Sequence, residues 1–487
     1  MIVSTPPRSA LRLLATAATC VAVLVLMPSW LSPGPAPRAD DEAKAQELLE
    51  RAEKKAEKGS YDQALSGYRK LVKAYPSTPA GAVALRRTQP NALLGWSDLL
   101  RHGPSDNRVD VVIMGDGYML SHLKSSFHSR SEDVLDAFER EPVLEEYLPY
   151  FNFIRAAVVS ADDGIDGYGR ESDTALDSYL TSRDTTGFGG VKTARVLEYL
   201  EQLPAHDGIA FALIKNQSSA VPGGPVATVG GAQRDLDAMV HAFGHAFAGL
   251  GDEFSNSGEH PFPHSRYPNV STSETDVPWQ HWLDEKQAGV GVYDGASGRL
   301  DGAWRPTGSN CVMNGSKRFC IVCREAVVLS IYALVDGIES EEPAAHDLTA
   351  PEELVATLKS NSDTQLASLD FEVQTMQPAS HDLVCTWWVV PEHRAPKSSG
   401  VRMSHSDRAR RGKLEEIDGE PAHEQRVSKT GTYRFSVDPN ELSPGRYRVI
   451  CRATDTAQPR GEREPWVLLD AQGLLTSERG WWIRVPE

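Results

Sequence analysis

The pattern of hydrophobic and polar residues changes several times along the chain. Residues 13–30 are almost continuously apolar, and residues 43–87 place apolar residues at helical spacing. Residues 107–340 mix short apolar runs with helical periodicity, which is typical of alternating strands and helices. Beyond Pro343, short strand-like runs are separated by Gly, Pro, Asp and Asn. These changes predict a multidomain α+β protein.

The first apolar run predicts an export segment over residues 1–39. Arg8 and Arg12 precede the run, and a proline-rich stretch follows it. The run is long for a signal peptide and slightly short for a spanning helix, so both a cleaved signal and an uncleaved membrane anchor stay open. Either alternative predicts a secreted, periplasmic or cell-surface protein, which would touch a membrane only through residues 1–39.

Residues 40–90 are predicted to form a tetratricopeptide-like helical hairpin. Gly59, Tyr61, Ala64, Tyr68 and Leu71 follow one another at the spacing of a helix-turn-helix repeat. A single repeat cannot bury its own apolar face. We therefore expect the hairpin to pack on the next domain, pair with a second copy or bind a protein partner.

Residues 91–345 are predicted to form an α/β domain, and residues 346–487 a β-sandwich. Buried strands are expected at 109–114, 153–160 and 208–215, with a helix near 326–338; strands of the sandwich are expected at 371–374, 383–390, 433–437 and 447–451. The separation of Cys385 and Cys451 suggests an immunoglobulin-like sandwich with a disulfide between its sheets.

Composition narrows the classes of partner. The 487 residues are too many for one hydrophobic core. A formal net charge of −17 argues against a nucleic-acid partner, because such binding needs a basic surface. Outside the export segment, an oxidising compartment favours pairing two of the three cysteines Cys311, Cys320 and Cys323, with one thiol left free.

The segment from Leu236 to Phe254 carries the candidate chemistry; it reads LDAMVHAFGHAFAGLGDEF. His241 and His245 are four residues apart, so they lie on the same side of a helix, about 160° from Phe243 on the apolar side. Such a pair can offer two nitrogens to one zinc ion. Gly249 and Gly251 provide the backbone freedom to fold a third ligand back, for which we favour Asp252 and then Glu253.

This segment resembles the HExxH helix of the IgA-peptidase-type zinc metallopeptidases (metallopeptidase family 64), with its glycine-rich turn and Asp-Glu-aromatic sequence. Other motifs that resemble the family occur in order. They are Gly115-Asp116-Gly117-Tyr118, Asn152-Phe153, Asp173-Thr174, Pro268-Asn269-Val270-Ser271, Trp279, Trp282, Tyr293-Asp294-Gly295-Ala296, Trp304-Arg305-Pro306, Cys311-Val312-Met313 and Phe319-Cys320-Ile321-Val322-Cys323-Arg324-Glu325. The resemblance implies a zincin-like fold, zinc as cofactor, a protein or peptide ligand in the cleft, and Met313 in a methionine turn beneath the metal.

The chain departs from the family pattern at the general base, where Ala242 replaces glutamate. Loss of a positioned base costs roughly 10²–10⁴-fold in rate. Three functions remain open: a pseudopeptidase or weak hydrolase that binds zinc and protein ligands, an active endopeptidase that uses Glu253 or another carboxylate as base, and a non-catalytic surface scaffold or adhesion protein.

Overall fold

The structure is a computed structural model and describes residues 38–487, apart from 168, 181–188, 216–223, 232–234, 257–266, 348–352, 361, 363, 398–399, 404–412 and 429. Nearly all of the predicted export segment, residues 1–37, lies outside the described residues. Within the described part of the chain, no helix combines the length and apolarity needed to cross a membrane.

Three helices begin the described chain: α1 (Ala39–Glu57), α2 (Tyr61–Ala74) and α3 (Pro79–Arg87). Their apolar side is covered by the domain that follows, which is one of the three predicted arrangements. The Tyr68 hydroxyl donates to the carbonyl of Leu94 at 2.7 Å. A Cβ atom on Gly95 would lie 2.6 Å from the Ala56 methyl, so the strand approaches α1 closely. Three helices, rather than a two-helix hairpin alone, therefore share one hydrophobic core with the residues that follow.

The next part is an α/β unit, as the alternating pattern predicts. Its elements are β1 (Leu93–Leu100), β2 (Val109–Asp116), α4 (Leu120–His122), a π-helical turn (Leu123–Phe127), α5 (His128–Arg140), α6 (Pro142–Glu146), β3 (Phe151–Val158), β4 (Tyr179–Leu180), β5 (Gly189–Gly190), α7 (Thr193–Leu200), β6 (Ile209–Ile214), β7 (Ala227–Gly230), α8 (Leu236–Ala248), α9 (Gln280–Asp284), β8 (Tyr293–Asp294), β9 (Trp304–Arg305) and α10 (Ile321–Leu334). The main sheet has the order β1-β3-β2-β6-β7, in which only β1 is antiparallel to its neighbour.

Apolar side chains cover both faces of this sheet. On one face, α5, α8 and α10 share a core with the N-terminal helices; on the other, α7 packs through Val196, Tyr199 and Leu200. Phe243 of α8 packs against Phe138 of α5, with ring centroids 4.7 Å apart. This packing fixes α8 over the sheet.

The C-terminal part is a β-sandwich. Its strands are β10 (Ile338–Glu342), β11 (Leu354–Val355), β12 (Leu369–Thr375), β13 (Val384–Pro391), β14 (His423–Gln425), β15 (Thr432–Val437), β16 (Gly445–Thr454) and β17 (Thr476–Val485). They form a three-stranded sheet, β10-β12-β15, and a five-stranded sheet, β11-β17-β16-β13-β14. Both sheets contribute to one core around Trp387 and Trp481. The sandwich thus begins with β10, before residue 346.

The predicted disulfide between the sheets of the sandwich is wrong. Cys385 and Cys451 lie on β13 and β16, which are neighbours in the same sheet. Both are buried free thiols. The sequence separation suggested a bridge between sheets because it does not show which strands become neighbours. Cys311, Cys320 and Cys323 are free as well, so the pairing expected among them is not present.

Candidate metal centre

Helix α8 positions the two candidate histidines. Asp235 caps its first turn, accepting from the amide of Ala238 at 3.0 Å. Met239 and Phe243 are buried against the core, whereas His241 and His245 are partly exposed on the other side. The helix ends at Gly249, whose left-handed φ of 61° favours glycine. The amphipathic pattern therefore presents both imidazoles away from the sheet.

The turn after α8 folds the chain back towards the helix. The amide of Leu250 bonds to the carbonyl of Gly244 at 3.1 Å. Asn269 then holds Gly251 from both sides: its Oδ1 accepts from the Gly251 amide at 2.8 Å, and its Nδ2 donates to the Gly251 carbonyl at 2.9 Å. This clamp fixes the backbone from which Asp252 projects.

The three predicted ligands converge on one point. The Nε2 atoms of His241 and His245 are 2.9 Å apart. Oδ1 of Asp252 lies 3.0 Å from the Nε2 of His241 and 3.2 Å from that of His245. Tetrahedral ligands about 2.0–2.1 Å from zinc would be roughly 3.3 Å apart, so the spacing is slightly tighter than that of a loaded site.

The hydrogen-bond partners of the imidazoles match a cation site. Nδ1 of His241 is 3.0 Å from the carbonyl of Val312, and Nδ1 of His245 is 2.7 Å from the carbonyl of Leu250. Each Nδ1 must donate there, so in a neutral imidazole Nε2 carries a lone pair. In that neutral form, buried Oδ1 of Asp252 receives no hydrogen bond from either Nε2 atom. Three acceptors facing one another fit a shared cation.

Local charge keeps Asp252 ionised. Burial alone would raise the pKa of Asp252, but hydrogen bonding and charge from His241 and His245 outweigh it and hold that pKa well below its usual range. Burial alone would lower the pKa of His245, yet Asp252 raises it above its ordinary value. The carboxylate therefore attracts either a proton or a metal ion to this point.

Met313, which the resemblance places in a methionine turn, packs against helix α8 at Gly244. It belongs to a 3-10 turn, Val312–Asn314, and is fully buried. A Cβ atom on Gly244, between the two histidines, would lie 3.0 Å from Sδ of Met313. The same turn supplies the Val312 carbonyl that orients His241. Met313 and Gly244 therefore pack together, and the turn that carries Met313 also orients His241.

The position that the family resemblance gives to the general base, residue 242, holds an alanine. Ala242 is 1% exposed and belongs to the apolar core. Glu253 is not part of the group of His241, His245 and Asp252; its carboxylate lies with three cysteines. It accepts from Nδ2 of Asn269 at 3.0 Å and from the Thr307 hydroxyl at 3.1 Å. Asp252 takes the third position beside the two imidazoles, so the interpretation of Glu253 as third ligand is corrected.

Glu253 instead belongs to a second cluster with Cys311, Cys320 and Cys323, all of them buried. Burial raises the pKa of Glu253 to about 8. The sequence could not assign this glutamate, because consecutive residues after a turn point in different directions and the direction depends on the turn. In the sequence, Asn269 stands out only as part of Pro268-Asn269-Val270-Ser271. Only the folded structure shows that its side chain bonds to both backbone groups of Gly251.

Comparison with known proteins supports the resemblance for part of the chain. The model of the family described as IgA Peptidase M64 matches residues 98–289, which include the two histidines and Asp252. This is a zinc metallopeptidase family. A search of curated proteins gives no match. A solved structure of an endo-beta-1,4-mannanase from Thermotoga petrophila is 10% identical, with a TM-score of 0.13, and the match covers 61% of this chain and 42% of that chain. A similarity this low carries no argument.

Proposed function

We propose, from the match of residues 98–289 to the IgA peptidase M64 family, that the chain is an exported metallopeptidase-fold protein. In this proposal it binds zinc and a peptide segment but hydrolyses peptide bonds weakly or not at all. The convergence of His241, His245 and Asp252 on one point carries the proposal. The donor set of two imidazoles and one carboxylate is suited to zinc with an open coordination position.

The residues around the centre would bind and orient the metal. His241 and His245 would offer Nε2, since their Nδ1 atoms are held by backbone carbonyls. Asp252 would add the negative charge that partly balances a divalent ion. When bound, zinc supplies a Lewis acid that polarises the carbonyl of a peptide. The side chains of His241, His245 and Asp252 are 14%, 6% and 29% exposed, which supports access from solvent.

Without a general base, the centre would bind a peptide but hydrolyse it slowly. A methyl group at residue 242 takes no proton from water, and Glu253 is engaged by Asn269 and Thr307. Removal of a positioned general base lowers rates by about 10²–10⁴-fold. Binding of a peptide carbonyl does not need that base. We therefore favour a zinc-dependent binding protein over an efficient peptidase.

Metal analysis of the purified full chain tests the metal part of the proposal. The double variant His241→Ala/His245→Ala should contain one zinc equivalent less than the wild type. The matched control, His393→Ala/His423→Ala, changes two exposed histidines of the sandwich and should keep the wild-type content. Equal zinc content in the wild type and in the His241/His245 variant would refute zinc binding at this centre.

A peptidase assay tests the missing base. We expect Ala242→Glu to cleave an unstructured protein such as casein about 10²–10⁴-fold faster than the wild type. A melting curve reports whether the new carboxylate is accommodated. If the wild type already cleaves efficiently and His241→Ala abolishes cleavage, the chain is an active peptidase and the proposal is wrong, whether or not Ala242→Glu folds.

A further inference from the structure

Three segments bring four sulfur and oxygen ligands together behind the histidine centre. Glu253 follows the turn after α8, Cys311 precedes the methionine turn, and Cys320 and Cys323 lie at the start of α10. One potential ligand atom from each residue lies within 4.8 Å of the others. None of the four residues is more than 7% exposed. This group, called the thiol cluster below, is separate from the histidine centre.

The distances within the thiol cluster are those of metal ligands. Tetrahedral thiolates about 2.3 Å from zinc lie roughly 3.8 Å apart, and a thiolate and a carboxylate oxygen roughly 3.6 Å apart. Sγ of Cys311 lies 3.6 Å from Sγ of Cys323. Oε1 of Glu253 lies 3.2 Å from Sγ of Cys323 and 3.8 Å from Sγ of Cys320. A disulfide would need sulfurs about 2.05 Å apart, so the geometry is closer to shared coordination.

The surroundings hold the cluster in place. The amide of Cys320 donates to Sγ of Cys311 at 3.5 Å, a contact that favours a thiolate over a thiol. Cys320 also occupies the N-cap position of the 14-residue helix α10, where the helix dipole favours negative charge. Asn269 and Thr307 fix the Glu253 carboxylate. Among the described residues, no Lys or Arg forms an ion pair with it.

We propose that Glu253, Cys311, Cys320 and Cys323 bind a second zinc ion with a structural role. Three thiolates and one carboxylate fill four coordination positions and leave none open, which distinguishes this site from the histidine centre. Soft sulfur ligands select zinc over magnesium or calcium. A cation would also balance the buried carboxylate of Glu253, whose hydrogen-bond partners Asn269 and Thr307 are both uncharged.

This ion would link the parts that build the histidine centre. Glu253 is adjacent to Asp252, and its amide bonds to the carbonyl of Met313 at 2.8 Å. Cys311 is adjacent to Val312, whose carbonyl orients His241. Binding at the thiol cluster would therefore hold the Asp252 turn and the methionine turn at a fixed distance. The inference does not depend on the chain binding a peptide.

Cobalt substitution of the full chain, purified in reductant, tests the proposal without a mutation in the cluster. Cobalt bound by thiolates gives intense sulfur-to-metal charge-transfer absorption, which two imidazoles and a carboxylate cannot produce. We expect this absorption in the wild type and, at equal intensity, in His241→Ala/His245→Ala. If neither protein shows it at saturating cobalt, or if Cys311 and Cys323 are found joined by a disulfide, the proposal is wrong.

Variants then assign the ligands. Cys320→Ser/Cys323→Ser should lose the charge-transfer band and one zinc equivalent, whereas Cys385→Ser/Cys451→Ser, which changes two buried thiols of the sandwich, should keep both. Retention of the band without Cys320 and Cys323 would overturn the assignment. The two metal proposals can be distinguished. If only the histidine variant loses zinc, the ion binds at the histidine centre and not at the thiol cluster. If only the cysteine variant loses zinc, the ion binds at the thiol cluster and not at the histidine centre.

Discussion

At the scale of single residues, one substitution can test the charge of Asp252 without changing the size of its side chain. Asp252→Asn keeps the size of the side chain and removes the negative charge that favours a cation between the imidazoles. Zinc added in excess over its dissociation constant stabilises a folded protein, by about 4 kcal/mol at a thousandfold excess. We expect the zinc-dependent rise of the melting temperature to shrink markedly in Asp252→Asn.

The measurement is a pair of melting curves, with chelator and with zinc, for each protein. Asp301→Asn is the matched control, since this carboxylate is 84% exposed, and it should retain the wild-type rise. An equal rise in Asp252→Asn would mean that Asp252 does not contribute to metal binding.

Asn269 tests whether the turn needs its clamp. Asn269→Ala removes three hydrogen bonds of a fully buried side chain, two to Gly251 and one to Glu253. Buried partners are left unsatisfied, so we expect a loss of about 2–4 kcal/mol in the free energy of unfolding. Denaturant titration measures it. Asn310→Ala, at an exposed asparagine, should change stability little, and a similarly small effect for Asn269→Ala would contradict the clamp.

At the scale of elements, the sequence best predicts the strands that are buried on both faces of the sheet. Strands β2, β3 and β6 are buried on both faces, so they appear as mostly apolar runs, with only isolated polar residues such as Asp110 and Arg155. Strand β17 was missed because Glu478 and Arg479 interrupt its pattern, although both are buried. Arg479 is buried because it pairs with Glu341 at 2.8 Å and Asp336 at 3.4 Å. These ion pairs join residues far apart in the sequence, so the local pattern of apolar and polar residues cannot show that Arg479 is buried.

The histidine centre could be predicted because its ligands are close together in the sequence, whereas the burial of β17 depends on residues far away in the sequence. Its ligands lie within twelve positions, on one helix and one glycine turn, so local geometry determines most of their arrangement. The thiol cluster joins residues about sixty positions apart through the fold. From the sequence alone, its cysteines were expected to pair and its glutamate to act elsewhere.

Helix α8 gives a prediction about packing. Gly→Ala in a helix normally gains up to about 1 kcal/mol. In Gly244→Ala, however, the new methyl would lie 3.0 Å from Sδ of Met313 and from Phe319, and 3.1 Å from Leu250. Overpacking costs about 1–3 kcal/mol, so we expect net destabilisation, measured by denaturant titration.

A double-mutant cycle isolates the contact. Met313→Ala alone should cost several kcal/mol, about 2–5, because it leaves a cavity. It also removes the sulfur that the new methyl meets, so Gly244→Ala/Met313→Ala should lose less than the sum of the single variants. Additive losses would show that Met313 does not restrict residue 244.

At the scale of the whole molecule, a buried ionic group joins the α/β unit to the sandwich. His381, ahead of β13, contacts Glu146 of α6 through Nδ1 at 2.8 Å and Asp455, after β16, through Nε2 at 2.7 Å. The hydroxyls of Tyr147 and Tyr332 donate to Oδ2 of Asp455 at 2.8 and 2.6 Å. Both ring nitrogens of His381 face carboxylate oxygens, an arrangement that favours the charged imidazole.

This group makes the stability of the joined domains depend on pH. Burial alone would lower the pKa of His381, but Asp455 and Glu146 raise it to about 9. A histidine with a raised pKa stabilises the fold fully below its unfolded value of about 6.5, and this contribution is lost as pH rises towards 9. The shift corresponds to about 3 kcal/mol. We expect the free energy of unfolding to fall across this interval in denaturant titrations.

The comparison with His381→Gln isolates the histidine from other groups that titrate nearby. Burial raises the pKa of Glu141 to about 7, so this group also favours unfolding as pH rises, but it remains in the variant. His381→Gln should be less stable at pH 6.5 and show a shallower fall towards pH 9, because glutamine carries no proton to lose. Parallel curves for the two proteins would mean that His381 is not charged in the folded state. A converging pair would identify the charged imidazole as the group through which alkaline pH weakens the contact between the α/β unit and the sandwich.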